Sequence, residues 1–230
     1  MNMSTTTVYD GSVSTSAAER NRVLRNTYWL LALSMVPTVI GAWLGVATGL
    51  AKAMTPGISL MVFLGGAFGF MYAIEKTKNS AAGVPVLLGF TFFMGVMLSR
   101  LVGSVLGLGN GASLIMTAFA GTGAIFLGMA SLSSIIKRDL SSMGKFLFIG
   151  MIMLFVAGIA NVFIQSSALM ITLAVLAIGI FSAFILYDLK RVQDGEETNY
   201  ITATLGVYLS VYNVFQSLLA LFGIFGGDRD

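Results

Sequence analysis

Residues 181–219, FSAFILYDLKRVQDGEETNYITATLGVYLSVYNVFQSLL, contain an apolar run, a compact charged turn and a second apolar run. The first run ends in Tyr187-Asp188, which places a carboxylate at the end of an apolar helix. The second run carries a series of polar side chains, namely Tyr208, Ser210, Tyr212, Asn213, Gln216 and Ser217. A short turn between two helices makes them antiparallel neighbours. This stretch therefore predicts two membrane helices, with the carboxylate of one facing the polar side chains of the other.

The composition of the whole chain is that of a membrane protein. Of its 230 residues, 57% are apolar and 10% are charged, whereas a soluble domain carries about 25% charged residues. The mean hydropathy is +0.89. Apolar runs of roughly 20 residues recur along the chain, which is the length of a membrane-spanning helix, and the alternating pattern of a membrane β-barrel is missing. We therefore predict an all-α, polytopic membrane protein.

Seven spans are predicted from these runs, giving a seven-transmembrane-helix bundle. They cover about 27–50, 58–74, 84–106, 112–136, 146–164, 168–187 and 201–225. Residues 1–19 are rich in Ser and Thr and lack the cationic start and apolar core of a signal peptide. We interpret them as a disordered cytoplasmic tail, and residues 20–230 as the transmembrane domain.

The positive charges predict the orientation of the bundle. Ten of them fall on one side of the predicted membrane, namely Arg20, Arg22, Arg25, Lys76, Lys78, Lys137, Arg138, Lys145, Lys190 and Arg191. The opposite side has Lys52 and Arg229, and Arg100 lies within a span. Because cytoplasmic connections are enriched in Lys and Arg, the N-terminus is predicted in the cytoplasm and the C-terminus outside. The pI near 9.3 reflects this orientation, and we expect no nucleic-acid partner.

Several kinds of chemistry are excluded by the residues that the chain lacks. It contains no Cys and no His, which removes disulfides, thiolate and imidazole metal sites and Ser-His relays. An intramembrane aspartyl protease needs a second Asp in a Gly-x-Gly-Asp setting, and Phe225-Gly-Gly-Asp228 lacks the first Gly. Phosphate-binding and metal motifs are also missing. We predict that the protein is not an enzyme, has no catalytic residues and needs no cofactor.

Asp188 is the first candidate site residue, and two interpretations of it stay open. It is either a helix-end carboxylate that is solvated or paired with Lys190, Arg191 or a neighbouring connection, or a buried protonatable group. In the second case the charge of the carboxyl depends on desolvation and on nearby cations, and it switches a helix contact with pH.

The other candidates are Ser210, Asn213 and Arg100. Ser210 and Asn213 lie three residues apart and share a face of the last span, where they either bond to other helices or line a water-filled path. Arg100 lies toward the external side of the third span. It either extends to the membrane surface or pairs with a polar group inside the bundle.

Glycines recur at four-residue spacing in three places. They are Gly41, Gly45 and Gly49; Gly65 and Gly69; and Gly103, Gly107 and Gly111. Such ladders allow helix backbones to approach closely in lipid. They predict tight packing within the bundle, with the interface of a homo-oligomer as the alternative.

Several motifs resemble those of the Bax inhibitor-like (transmembrane Bax-inhibitor-motif) family. They are Arg22-Val-Leu-Arg-Asn-Thr-Tyr28, Lys137-Arg-Asp139, Ser142-Met-Gly144, Gly195-Glu-Glu-Thr-Asn-Tyr-Ile201 and Tyr208-Leu-Ser-Val-Tyr-Asn213. The resemblance covers the whole membrane part and is strongest to the bacterial branch that modulates the FtsH protease. It implies a seven-helix bundle in the bacterial inner membrane, with the seventh membrane helix at the centre.

The resemblance implies two alternative functions. In the bacterial branch, the membrane-embedded ATP-dependent protease binds the cytoplasmic tail, extracts the protein slowly and is thereby kept from other substrates. In some members of the family, two Asp residues on the last two helices form a pH-sensitive latch on a calcium leak. Asp188 matches the first of these, but the family's Leu-Tyr-Leu-Asp is Val207-Tyr-Leu-Ser210 here. We therefore expect protease modulation, with a calcium leak gated around Asp188 as the alternative.

Overall fold

Helices make up nearly all of the part of the chain that the structure describes. This computed structural model describes the backbone of residues 16–226 and all side chains among them except those of residues 51 and 52. The helices are α1 (Ala17–Thr48), α2 (Leu50–Ala53), α3 (Pro56–Thr77), α4 (Gly83–Leu106), α5 (Gly111–Ile135), α6 (Ser141–Ile164), α7 (Ser167–Asp194) and α8 (Tyr200–Gly226). All except the four-residue α2 are long and apolar enough to cross a membrane. The prediction of an all-α bundle with seven membrane spans is confirmed.

Helix α1 begins well before the predicted start of the first span. The hydroxyl of Ser16 accepts a hydrogen bond from the backbone N–H of Glu19 at 3.2 Å, so it caps the first turn. Ser-x-x-Glu is the sequence of a capping box. Ala17–Glu19, which we assigned to the tail, are therefore helical. The rest of the predicted tail, residues 1–15, lies outside the described residues.

Helix α7 continues past its predicted end at Tyr187 and stops only at Asp194. The charges that we read as a turn form its last turns, where Lys190 and Asp194 make an ion pair at 2.5 Å between positions i and i+4. Gly195 then ends the helix in the left-handed conformation, with φ of 83°. Asp188 is thus inside the helix and not at its end, so the predicted position of Asp188 at the end of the sixth span is wrong.

Helix α8 is the centre of the bundle. It contacts α1, α3, α4, α5 and α7, and 50% of the residues in its most apolar segment are buried, against 6% in α6. Leu219, Val214 and Val207 of α8 are fully buried. Helix α6 packs mainly on α7 and exposes large apolar side chains such as Phe146 and Met153. The expectation that the last membrane helix lies at the centre of the bundle is confirmed.

Helices α1 and α4 approach each other through glycines. A Cβ built on Gly41 would lie 2.2 Å from the carbonyl oxygen of Phe92, and one on Gly95 would lie 2.1 Å from that of Thr38. Gly45 meets Ser99 of α4 in the same way. Gly41 and Gly45 of the first glycine ladder therefore pack inside the bundle, where small residues permit backbone contact. Among the described residues, nothing lies within 4 Å of the Cβ position of Gly49, the third member of that ladder.

The glycine ladder of α3 behaves differently. Around Gly65 and Gly69, no neighbouring atom lies within 4 Å of the position that a Cβ would take. This ladder does not serve packing within the described part of the chain, and its role in a homo-oligomer stays a prediction.

Candidate functional site

The polar contacts of α8 are made with α1 and α4. The hydroxyls of Tyr208 on α8 and Thr38 on α1 lie 2.9 Å apart, and the Tyr208 hydroxyl also lies 3.4 Å from the carbonyl oxygen of Thr91 on α4. One turn later, the Tyr212 hydroxyl donates to the carbonyl oxygen of Met94 at 3.2 Å. Tyr208 and Tyr212 are buried. These bonds fix the rotation of the central helix against its two main neighbours.

Asp188 lies on α7 and faces the backbone of α8 at Gly206. A Cβ built on Gly206 would be 3.0 Å from one carboxylate oxygen of Asp188 and 3.3 Å from its carboxyl carbon. Any residue larger than Gly at this position would therefore push against the carboxylate. The absence of a side chain at Gly206 gives Asp188 its place at the α7–α8 interface.

The basic residues next to Asp188 are paired with other carboxylates. Lys190 bonds to Asp194 at 2.5 Å, and Arg191 approaches Glu196 at 3.6 Å. Among residues 16–226, Asp188 itself forms no ion pair or side-chain hydrogen bond, although Arg191 and Glu197 act on it over a longer distance. The interpretation of Asp188 as paired with Lys190 or Arg191 is therefore wrong, because each has a closer partner.

Ser210 and Asn213 satisfy their side chains within α8. The Ser210 hydroxyl donates to the carbonyl oxygen of Gly206 at 3.1 Å, and the Asn213 amide donates to that of Leu209 at 2.8 Å. Both bonds are made one turn back along the same helix. Asp188 and Ser210 thus both approach Gly206, and the structure shows no hydrogen bond between them. Ser210 and Asn213 therefore do not connect α8 to other helices, whereas Tyr208 and Tyr212 do.

Arg100 is separate from this group of residues. It lies near the end of α4, and α4 and α7 run in opposite directions, so Arg100 and Asp188 are at opposite ends of the bundle. Its side chain is exposed, and its guanidinium donates to the carbonyl oxygen of Met54 at 3.3 Å. Met54 lies in the connection between α2 and α3. Of the two interpretations, the structure supports the one in which Arg100 extends to the surface.

The Gly195–Ile201 motif joins two connections at the same end of the bundle. The side-chain oxygen of Asn199 accepts from the N–H groups of Ile201 at 2.9 Å and Thr202 at 3.2 Å, so it caps the start of α8. Its amide nitrogen donates to Lys78 and Asn79 in the connection between α3 and α4, at 3.1 and 2.8 Å. The capping role of Asn199 was not predicted, although Asn before an apolar run is a typical helix cap.

Asp139 forms local hydrogen bonds in the connection between α5 and α6, and the start of α6 packs on α7. The Asp139 carboxylate accepts from both the hydroxyl and the backbone N–H of Ser141, the latter at 2.8 Å. These two hydrogen bonds lower the pKa of Asp139 below its ordinary value of 3.8. A Cβ built on Gly144 would lie 2.4 Å from the Tyr187 hydroxyl. A side chain at position 144 would displace the Tyr187 ring, so glycine favours the close packing of α6 on α7.

Within residues 16–226, no group of three or more acidic side chains is arranged to hold a metal ion. The arrangement around Asp188 offers one carboxylate, a backbone and a hydroxyl whose proton is already donated to Gly206. Such a site can exchange a proton or bind a cation weakly with the help of water, but it supplies no nucleophile beside a base. Proton exchange and a helix contact are what this geometry can support.

Comparisons with known proteins agree with this architecture. Residues 20–227 match the family model described as "Inhibitor of apoptosis-promoting Bax1". The chain is 34% identical over 214 residues to the "Modulator of FtsH protease YccA" of Escherichia coli strain K12, covering 93% of this chain and 95% of that protein. It is 35% identical over 210 residues to an uncharacterized membrane protein of Vibrio cholerae, covering 91% and 92%.

A further relative, from Escherichia coli O6:H1, is called "Inner membrane protein YccA" and is also 34% identical over 214 residues. The match to the family model extends over all seven membrane spans of the structure. The motifs that suggested the family also have structural roles here, since Asn199 caps the central helix and Gly144 packs against α7. The chain belongs to the Bax inhibitor family and is a multi-pass membrane protein.

Proposed function

We propose that this protein modulates a membrane-embedded, ATP-dependent protease of the FtsH type in a bacterial inner membrane. The observation that carries the proposal is the similarity to the FtsH modulator of Escherichia coli, which extends over 95% of that protein. The proposed mode of action is competition: the protease binds residues 1–15 and the adjoining start of α1, and extracts the bundle slowly.

The packing of α1 supports slow extraction. A protease that pulls from the N-terminal side meets α1 first, and α1 lies in backbone contact with α4 at Gly41 and Gly95. The contact between Thr38 and Tyr208 also joins α1 to the central helix. Removing α1 therefore opens two interfaces at once and exposes polar groups of the core to lipid, where unsatisfied polar groups are costly.

A calcium or proton leak around Asp188 is the second candidate function. One observation favours it: the Asp188 carboxylate lies against Gly206 with no ion pair or side-chain hydrogen bond to residues 16–226. The missing second carboxylate weighs against it, because Ser210 cannot share a proton as an Asp would. We rank the leak below the protease role.

Reconstitution with a purified FtsH-type protease tests the first proposal. The measured quantity is the rate at which the protease degrades a second membrane substrate in the presence of ATP. Full-length protein is expected to slow this degradation, deletion of residues 1–15 to abolish the effect, and Asp188→Asn to leave it unchanged. Equal inhibition by the full-length and the shortened protein would contradict binding through this segment.

A flux assay in liposomes separates the two functions. The protein is reconstituted without the protease into liposomes that enclose a calcium or proton indicator. The flux into these liposomes is measured over a range of pH. The protease proposal predicts no flux above that of empty liposomes. A pH-dependent flux that Asp188→Asn removes and the N-terminal deletion preserves would instead establish the leak.

A further inference from the structure

A groove lies on the outer face of α1 at the end of the bundle where that helix begins. It has a volume of about 480 Å³ and is lined by Asn21, Leu24, Arg25, Tyr28 and Trp29. Their spacing places them on one helix face. Sites for small molecules typically have volumes of roughly 300–1,000 Å³. This groove has a volume in that range but is open to its surroundings, so it suits one part of a larger ligand that lies along the helix.

The polar groups of this groove are donors without partners. Among residues 16–226, neither the Arg25 guanidinium nor the Asn21 amide forms an ion pair or side-chain hydrogen bond, and the Tyr28 hydroxyl has none either. Glu19, the acidic residue of α1, does not line the groove. Among the described residues, the groove is lined by a cation and neutral donors and by no carboxylate, so it is complementary to an anion.

The remaining walls of the groove are apolar and suit a membrane molecule. The Tyr28 ring packs edge-on against Phe126 of α5, with ring centroids 6.1 Å apart. Trp29 is 72% exposed, and Leu24 is half-buried. Trp and Tyr are enriched at the level of lipid headgroups, so an anionic headgroup at Arg25 would continue into acyl chains along Trp29.

We propose that this groove binds an anionic phospholipid, with the headgroup phosphate at Arg25, Asn21 and the Tyr28 hydroxyl and an acyl chain beside Trp29. The geometry favours a lipid over a free phosphate because the anion-binding groups lie beside exposed aromatic surface at the membrane interface. Phosphatidylglycerol is the probe of this headgroup chemistry. The site does not include Asp188, and the vesicle experiment that tests it contains no protease.

Quenching of Trp29 by brominated lipids tests the site. The chain has two Trp residues, so full-length Trp43→Phe protein reports on Trp29 alone. It is reconstituted in phosphatidylcholine vesicles in which a minor fraction is brominated phosphatidylglycerol or, in a matched sample, brominated phosphatidylcholine. We expect brominated phosphatidylglycerol to occupy the site about fivefold more readily than brominated phosphatidylcholine does. This ratio is what the attraction between one arginine and an anionic lipid contributes.

Three further substitutions separate a specific site from general attraction of anionic lipid. In the Trp43→Phe background, Arg25→Gln is expected to remove the preference for phosphatidylglycerol over phosphatidylcholine. Tyr28→Phe is expected to reduce this preference, although it leaves the charge of the protein unchanged. Lys145→Gln removes one exposed positive charge at the same end of the bundle and is expected to preserve it. Free inorganic phosphate added to the vesicles is expected to leave the quenching unchanged.

Other outcomes would overturn the proposal. Equal quenching by the two brominated lipids would show that the groove does not select an anion. An equal loss in Arg25→Gln and Lys145→Gln would show bulk electrostatics, and reversal by inorganic phosphate would show an anion site that is not a lipid site. A stronger preference after deletion of residues 1–15 would show that this segment is the occupant of the groove.

Discussion

The closest approach between α1 and α4 allows a quantitative prediction for Gly95→Ala. A Cβ at this position would lie 2.1 Å from the carbonyl oxygen of Thr38, whereas real Cβ atoms essentially never approach other atoms within 3.0 Å. This oxygen belongs to the backbone, so a side-chain rotation cannot relieve the clash. Helix α1 must move away from α4 by about the difference between these two distances.

The cost of that movement follows from packing energetics. Overpacking by one methyl group in a close-packed interior costs about 1–3 kcal/mol, and a helical Gly→Ala change returns up to about 1 kcal/mol through helix propensity. Gly65→Ala on α3 is the matched control, because nothing lies within 4 Å of its Cβ position. Gly65→Ala therefore gains helix propensity but creates no steric clash with a neighbouring helix in the described part of the chain. The two variants are therefore expected to differ by about 2 kcal/mol in the free energy of unfolding.

Thermal unfolding of both variants in the same detergent measures this difference. For a chain of this size, 1 kcal/mol corresponds to about 2–4 °C in Tm, so Gly95→Ala is expected to unfold about 4–8 °C below Gly65→Ala. If the two melt together, the close contact between α1 and α4 is not the constraint described here. Under the protease proposal, Gly95→Ala is also expected to be degraded faster than Gly65→Ala.

Three further predictions concern single polar contacts. Tyr208→Phe removes the contact with the Thr38 hydroxyl and is expected to lower the free energy of unfolding by about 1 kcal/mol, measured by titration with a denaturing detergent. Asn199→Asp keeps the acceptor that caps α8 but loses the donor to the α3–α4 connection. It is expected to destabilise less than Asn199→Ala, which loses the cap as well at about 1 kcal/mol; equal losses would contradict the capping role. Ser141→Ala is expected to raise the pKa of Asp139 toward 3.8, followed by carboxyl NMR. Because the folded-state pKa is the lower one, this carboxylate stabilises the fold above its ordinary pKa, and the contribution is lost as the pH falls through the folded-state value.

The membrane spans were predictable because each is a long apolar run, and length with hydropathy is enough to identify a spanning helix. The ends of the helices were less predictable. A cluster of charges resembles a turn, but in α7 it forms an ion pair between Lys190 and Asp194 that continues the helix as far as Gly195. The capping pattern of Ser16 and Glu19 was present in the sequence and would have placed the start of α1 correctly.

The partners of the polar residues could not be predicted from local patterns. Asp188 faces the neighbouring helix as expected, but it meets the backbone of Gly206 instead of a polar side chain. The contact between Thr38 and Tyr208 joins residues 170 positions apart. Helix periodicity identifies which residues share a face, but it does not tell which of six other helices lies opposite that face.

The central position of α8 has a consequence for biosynthesis. The ribosome makes the chain from the N-terminus, so the helix that the others surround is the last of the eight to leave it. Until residues 200–226 enter the membrane, Thr38 and the α1–α4 pair have no central helix to pack against. The six earlier membrane helices must therefore remain in the bilayer as an incomplete assembly. A nascent chain arrested before Tyr200 would present its vacant centre to insertion factors and quality-control proteases.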